Sequence, residues 1–195
     1  MFTLKQGRKL VKLARNSIET AFTKDKIDLD DYDNFSEKQG VFVTLNKDSQ
    51  LRGCIGFTEP IYELKRAIVE AARSAAFSDP RFPSLERDEL DSITVEISVL
   101  TVPELIEVDD PEEYKDRIII GSDGLVIKGS LGSGLLLPQV PVEWGWDEEE
   151  FLRNICMKAG LPDDAWKDSS TRLYKFQAQI FAEREPQGEI IEKEL

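Results

Sequence analysis

Two β-prone runs on either side of a short polar turn constrain the fold of this chain more than any other feature. Residues 40–45 are rich in β-branched and aromatic side chains, residues 46–50 are polar, and the chain then returns through residues 51–57. This pattern predicts an antiparallel hairpin that pairs residues 41–45 with residues 51–57. The return strand contains Leu51-Arg52-Gly53-Cys54-Ile55-Gly56, which places a thiol and a guanidinium among glycines.

Apolar residues spaced three or four apart predict three amphipathic helices. Thr3 and Gln6 have the spacing of a capping box ahead of the first helix. Pro60 suits the first position of the second helix, which ends before the two prolines in residues 79–83. A further capping-box sequence precedes the third helix, near residues 148–159.

The remaining apolar segments have the periodicity of strands. Apolar and polar residues alternate in residues 93–99 and again in residues 174–182. Residues 117–120 and 125–128 predict a second hairpin, and the acidic tail at residues 184–195 is expected to fray. Helices combined with hairpin-linked strands indicate an α+β fold with a mainly antiparallel sheet and flanking helices.

Composition limits the classes of partner. A chain of 195 residues that is 41% hydrophobic can bury one core, as a single domain or divided into two lobes of unequal size. The chain shows no signal peptide and no apolar run of about 20 residues, so we expect a cytoplasmic protein without a membrane span. A formal charge of −13 argues against binding to nucleic acid or anionic membranes.

The sequence contains 0 histidines, which excludes Ser-His-Asp triads, Cys-His dyads and histidine-ligated metal sites. The glycine-containing residues 121–124 and 129–134 lack the lysine and the strand-to-helix context of a phosphate-binding loop, so we interpret them as turns. No motif supports a metal site. The two cysteines, Cys54 and Cys156, are expected to be reduced.

The glycine-flanked cysteine has two interpretations. Strand alternation places Arg52 and Cys54 on one face, where a guanidinium would favour the thiolate, while Gly53 and Gly56 would let a ligand approach closely. Alternatively, Cys54 is a small buried residue, and the glycines allow the strand to cross under a helix. Spacing leaves both open, whereas Cys156 has the pattern of a core residue.

Two further residues are candidates for the same site. Glu96 lies on the polar face of its predicted strand. If that strand neighbours residues 51–56, Glu96 would accept a proton or pair with Arg52. Gln139 follows a proline after three leucines and offers an amide that could orient a polar ligand.

Five segments occur in the order typical of the AMMECR domain family: residues 40–43, 51–56, 79–83 (Asp-Pro-Arg-Phe-Pro), 96–100 and 134–140. The chain resembles a stand-alone archaeal or bacterial member over roughly residues 40 to 180. The resemblance implies an α+β fold with two unequal lobes, with the 51–56 segment near the cleft between them. It makes Arg52 and Cys54 functional candidates but implies no settled activity or cofactor. Microbial members often occur beside Memo-type and radical SAM proteins, which suggests a shared pathway.

Two functional hypotheses follow. In the first, a cleft at residues 51–56 binds a small molecule or peptide and acts on it through the Cys54 thiolate, with Arg52 and Glu96 assisting and Gly53, Gly56 and Gln139 contributing to binding. In the second, the protein is a non-catalytic interaction module, and residues 51–56 form a structural strand.

Overall fold

The computed structural model describes residues 1–23 and 25–193, which fall into two compact units. Of the described residues, the first unit contains residues 1–100 and 179–193, and the second contains residues 101–178. Both combine antiparallel strands with helices, so the predicted α+β class is confirmed. Within the described residues, no helix has the length and apolar character needed to cross a bilayer.

The helices are α1 (Leu4–Thr23), α2 (Leu64–Phe77), α3 (Tyr114–Arg117), α4 (Gln139–Trp144) and α5 (Glu148–Lys158). The strands are β1 (Val41–Lys47), β2 (Gln50–Phe57), β3 (Ile93–Leu100), β4 (Glu104–Leu105), β5 (Asp123–Lys128), β6 (Ser133–Leu136), β7 (Arg172–Glu183) and β8 (Ile190–Lys193). Short 3-10 turns cover Asp30–Phe35, Arg87–Glu89, Pro111–Glu113 and Ala165–Lys167.

In the first unit, β1 pairs antiparallel with both β2 and β3, which confirms the predicted hairpin. The two-residue turn of this hairpin consists of Asp48 and Ser49, whose φ angles are 51° and 62°. Positive φ at both central residues is the requirement of a type I′ turn, whose twist matches that of the flanking strands. Helices α1 and α2 cover one face of the sheet, where Val43, Leu45 and Ile97 are fully buried.

The predicted capping boxes form at both helices. The Thr3 N–H donates to Gln6 Oε1 at 2.9 Å, and the Gln6 N–H donates to Thr3 Oγ1 at 3.3 Å. At the start of α5, the Glu150 N–H donates to Asp147 Oδ1 at 2.8 Å, and the Asp147 N–H donates to Glu150 Oε2 at 3.1 Å. Each box satisfies amide groups that a helix otherwise leaves without partners at its first turn.

The second helix begins later than the sequence predicts. Pro60 lies outside α2, which starts at Leu64, and Ile61 and Tyr62 are exposed. The Leu64 N–H donates to the Glu37 carbonyl at 2.9 Å, and Glu63 has extended backbone angles. Pairing of residues 63 and 64 with residues 37 and 38 therefore keeps Glu63 extended and delays the start of the helix to residue 64.

The predicted second hairpin is wrong. Residues 114–117 form α3, and β5 pairs with β6 instead of with residues 117–120. The Ile119 N–H donates to Asp123 Oδ2 at 3.0 Å, and the Asp123 N–H donates to the Ile119 carbonyl at 2.9 Å. These groups close a local turn, so they are not available for a strand ladder.

The core of the second unit lies between its sheet and α5. The first residues of β7 pair with β5 and β4, and β5 pairs with β6. The largest buried side chains of this core include Phe151 from α5 and Trp166. The predicted long strand at residues 174–182 is confirmed within β7.

The expectation of a frayed tail from residue 184 is wrong for residues 190–193, which form β8 and pair with β7. Glu183 lies immediately before the tail and is buried. Its two carboxylate oxygens accept hydrogen bonds from Nε and Nη2 of Arg15, both at 2.6 Å. Residues 194 and 195 of the predicted tail lie outside the described residues.

Candidate functional site

The main chain of Cys54 is bound by an acid–base pair from the segment that follows α2. Asp79 Oδ2 accepts the Cys54 N–H at 2.9 Å, and Arg81 Nη2 donates to the Cys54 carbonyl at 3.1 Å. Asp79 and Arg81 are also paired with each other at 2.8 Å. Both main-chain groups of Cys54 therefore point away from β1 and are satisfied by side chains.

Asp79 is 4% exposed, and a buried carboxylate is tolerated only with strong partners. The hydrogen bond from Arg81 holds the pKa of Asp79 well below its ordinary value, against the opposing effect of burial, and the backbone N–H groups of Cys54 and Arg81 lower it further. Asp79 is therefore ionised at neutral pH and acts purely as an acceptor.

The thiol of Cys54 lies on a partly exposed part of the strand and has a polar neighbour. Thr44, directly across the hairpin, donates from Oγ1 to Cys54 Sγ at 3.3 Å. The pKa of Arg81 is raised first by its hydrogen bond to Asp79 and further by its interaction with Cys54. We call Thr44, Cys54, Asp79 and Arg81 the Cys54 site.

Arg52, the guanidinium singled out from the sequence, is held by other groups. Its Nε and Nη2 donate to the two carboxylate oxygens of Glu89 at 3.0 and 2.8 Å, and its Nη1 donates to the Pro83 carbonyl at 2.9 Å. Lys47 donates to the same carboxylate at 3.0 Å. The hydrogen bond from Arg52 is the main reason that the pKa of Glu89 falls to about 2.

The alternation that places Arg52 and Cys54 on one face is interrupted. Leu45 pairs with Gly53, while Asn46 pairs with Leu51, so β2 carries an extra residue, Arg52, at a bulge. A bulge re-aims the side chain that it contains, and the Arg52 guanidinium reaches Glu89 at the 3-10 turn Arg87–Glu89.

Glu96 was proposed as a site residue on the condition that its strand neighbours residues 51–56, and this condition is not met. Strand β1 lies between β2 and β3, so β3 is not a neighbour of the 51–56 segment. The partner of Arg52 is Glu89, and Glu96 accepts a hydrogen bond from Lys193 at 2.7 Å. Thr44 faces Cys54 on one side and Glu96 on the other, so the three residues form a row across three strands.

The two glycines proposed for ligand binding have packing roles. A Cβ on Gly53 would lie 2.2 Å from the Ala75 carbonyl oxygen, because α2 crosses directly over β2 at this point. A Cβ on Gly56 would lie 2.3 Å from the Val41 carbonyl oxygen and 2.5 Å from the Phe42 ring. Larger side chains would force the backbone apart at both positions.

Gln139 is placed in the second unit, at the first residue of α4. Its Oε1 is buried, and within the described residues it accepts no hydrogen bond. Cys156, on α5, is fully buried, and desolvation raises the pKa of its thiol to about 11. Cys156 thus has the core character that its sequence pattern predicts.

Sequence reasoning did not assign roles to Thr44, Asp79, Arg81 or Glu89. Asp79 and Arg81 carry a signal, since they belong to the Asp-Pro-Arg-Phe-Pro segment by which the family resemblance was recognised. Thr44 could have been found from the hairpin register, whereas Glu89 lies in a 3-10 turn without a motif. Among the residues that the structure describes, no cluster of three acidic or cysteine side chains could hold a metal ion.

Comparisons with known proteins identify the family and the fold of the chain. The family model AMMECR1 matches residues 11–181. A protein from Methanocaldococcus jannaschii is 52% identical over 198 residues, covering 100% of this chain and 98% of its own. A protein from Pyrococcus horikoshii is 52% identical over 197 residues, covering 97% of this chain and 95% of its own. The crystal structure of an uncharacterised protein from Pyrococcus horikoshii is similar with a TM-score of 0.89 at 52% identity, covering 98% of each chain.

Proposed function

This chain belongs to the AMMECR1 family, and from that premise we propose that its Cys54 site binds a small molecule or peptide and acts on it through the Cys54 thiolate. The observation that carries the proposal is the hydrogen bond from Thr44 Oγ1 to Cys54 Sγ at 3.3 Å, beside the guanidinium of Arg81. A hydroxyl donor and a cation both favour the charged form of a thiol, which is its nucleophilic form.

Access to the site supports the same proposal. Cys54 is partly exposed, and the side chain of Arg81 is 54% exposed although it is anchored at Asp79. An anchored but accessible guanidinium suits the binding of an anionic or carbonyl group of a ligand close to the sulfur. The cation of the proposed site is Arg81, since Arg52 is engaged by Glu89 and Pro83.

Proton transfer without histidine needs another carrier, and Glu96 has that role in the proposal. Residues directly opposite on neighbouring strands have Cβ atoms about 4.5–5.5 Å apart, so Thr44 stands between Cys54 and Glu96. In this scheme the Thr44 hydroxyl rotates away from the position in which it donates to Cys54 Sγ, accepts the proton of the thiol and gives its own proton to Glu96. Replacement of Glu96 by Gln tests this role separately from the activation of the thiol.

We also propose a pathway, a compartment and a class of partner for the protein. The family resemblance supports a pathway shared with Memo-type and radical SAM proteins, in which such a protein is the partner. Both cysteines are free, which supports a reducing compartment such as the cytoplasm. A net charge of −13 supports a protein or small-molecule partner over nucleic acid.

Alkylation by iodoacetamide tests the activated thiol, with each cysteine-containing peptide followed by mass spectrometry between about pH 6 and 9. Cys54 should react faster than a free thiol at neutral pH, and Arg81→Gln and Thr44→Val should each lower its alkylation rate. Cys156 should stay unreactive in the folded protein and serves as the internal control. If Cys54 reacts no faster than a free thiol at neutral pH and Arg81→Gln leaves its rate unchanged, the thiolate is not activated.

A second candidate is a non-catalytic interaction module, and the glycine packing favours it. Gly53 and Gly56 lie in close contact with Ala75 and with Val41 and Phe42, which is a structural reason for the motif. In that case, co-purification with a Memo-type partner should survive Cys54→Ser and be lost when the exposed carboxylates of Asp28, Asp30 and Asp31 are neutralised. The opposite pattern would favour the thiolate site.

A further inference from the structure

A separate cavity of about 410 Å³ lies in the first unit, between α2 and the segment that leads into it. Its volume falls within the range of small-molecule sites. One side is apolar and includes Phe57 and Tyr62, and the other is a row of polar residues on α2. We call this cavity the α2 pocket, and it contains none of the residues of the Cys54 site.

The polar side consists of Arg66, Glu70 and Ser74, which are spaced four residues apart and so lie in one row along the helix. Within the described residues, neither the Arg66 guanidinium nor the Glu70 carboxylate has a hydrogen bond or an ion pair, although the two are one helical turn apart. The other two cations of this helix do have partners, since Lys65 pairs with Asp33 and Arg73 donates to the Ser17 carbonyl.

The apolar side presents aromatic surface to the same space. Phe57 and Tyr62 meet edge to face, with ring centroids 5.2 Å apart and an interplanar angle of 73°. Tyr62 is nevertheless 45% exposed, and Leu29 and Val69 extend the apolar wall. An aromatic pair beside a cavity, with Phe57 half-buried and Tyr62 exposed, is suited to stacking against a further flat apolar group.

We propose that the α2 pocket binds a free aromatic α-amino acid. Arg66 binds its carboxylate, Glu70 binds its ammonium group, and its side chain packs against Phe57 and Tyr62. The pair of unlike charges selects this class, because an isolated anion such as phosphate would be repelled by Glu70 and an isolated cation would be repelled by Arg66. Only a ligand with both charges close together is complementary to the row.

Titration calorimetry with L-phenylalanine tests the proposal against two analogues that each lack one charge, 3-phenylpropionate and phenethylamine. L-phenylalanine should bind saturably, and each analogue should bind at least about tenfold more weakly, a difference of about 1.4 kcal/mol. L-alanine, which keeps both charges and lacks the ring, should also bind more weakly.

Variants assign the contacts. Arg66→Gln should weaken binding of L-phenylalanine and remove its preference over phenethylamine, and Glu70→Gln should remove its preference over 3-phenylpropionate. Lys9→Gln, at an exposed helical cation outside the pocket, is the matched control and should bind as the parent protein does.

All three positions are exposed, so folding should be retained, which thermal unfolding verifies. The proposal is overturned if L-phenylalanine shows no saturable heat, if the analogues bind equally well, or if Lys9→Gln has the effect of Arg66→Gln.

Discussion

The carboxylate of Asp79 accepts the backbone N–H of Cys54 at 2.9 Å, so a residue just beyond α2 takes a hydrogen bond that a neighbouring strand would otherwise take. Arg81 completes the arrangement at the Cys54 carbonyl. The Asp-Pro-Arg segment and the 51–56 segment are thus one structural feature, although 25 positions separate Asp79 from Cys54.

Replacement of Asp79 by Asn should lower the free energy of unfolding by about 1–3 kcal/mol at pH 7, because it leaves the Arg81 guanidinium without its anionic partner. The pKa of Asp79 is lowered in the folded protein, so its contribution is fully present above the unfolded value of about 3.9 and is lost as the pH falls below it. Urea unfolding of both proteins at pH 7 and near pH 2.5 should show a smaller difference at the lower pH. An equal difference at both would contradict the ionic role.

Replacement of Arg52 by Gln should destabilise the protein by about 1–3 kcal/mol, because the Glu89 carboxylate loses two of its hydrogen bonds. The alkylation rate of Cys54 should change little, since the proposal assigns the activating cation to Arg81. Measured in parallel, Arg81→Gln should clearly lower the alkylation rate of Cys54. A large loss of Cys54 reactivity in the Arg52 variant would show that Arg52, and not Arg81 alone, activates the thiol.

The Glu89 carboxylate predicts a pH dependence of its own. Its pKa falls to about 2 in the folded protein, so it stabilises the fold above its unfolded value of about 4.3, and this contribution is lost as the pH falls towards 2. Glu89→Gln should therefore be less stable than the parent protein at pH 7 and close to it near pH 2, as measured by denaturant unfolding. A constant difference across this range would show that Glu89 acts through packing alone.

Gly53→Ala should be among the most damaging single substitutions in the first unit, at about 2–4 kcal/mol, because the added Cβ meets the Ala75 carbonyl oxygen at 2.2 Å. Gly134→Ala is a graded comparison, since its nearest contact would be the Ala159 nitrogen at 3.0 Å. Thermal unfolding should show a much larger decrease in Tm for the Gly53 variant. Similar decreases would mean that α2 can move away from β2.

Glu183→Gln should cost about 3–5 kcal/mol, because it removes the buried counter-charge of the Arg15 guanidinium and leaves only the partly exposed Glu19, at 3.7 Å. The control is Arg184→Gln, whose partner Glu189 lies in an exposed pair with side chains 66% and 57% exposed, and it should change stability by less than about 1 kcal/mol. Urea unfolding at neutral pH separates the two. A small effect at Glu183 would show that water reaches Arg15.

The parts of the fold that follow local rules could be predicted from the sequence. The capping box at Thr3 and the alternation in β3 are local patterns, and both appear as expected. The start of α2 could not be predicted from Pro60, because a tertiary contact between Leu64 and Glu37 overrides the local preference. The pairing of β5 with β6 was missed for a different reason, since Asp123 uses its side chain and amide in a local turn with Ile119 that no sequence pattern indicates.

At the candidate site, the sequence led to the correct strand and could not identify the partners of its residues. Periodicity cannot reveal the bulge at Arg52, and so it cannot show that the guanidinium reaches Glu89. Nor can it show that Arg81, 27 positions from Cys54, bonds the Cys54 carbonyl. Both depend on how the segment after α2 returns to the sheet, which is a property of the tertiary fold.

The pair of side chains at the main chain of Cys54 has a consequence for the protein in concentrated solution. A strand from a second molecule that approaches β2 at this point finds the amide and the carbonyl already occupied by Asp79 and Arg81. Edge-to-edge strand pairing between two copies of the protein is therefore obstructed at Cys54, where β2 also carries a partly exposed thiol. A variant that loses Asp79 loses this protection together with its stability, and aggregation should accompany its unfolding.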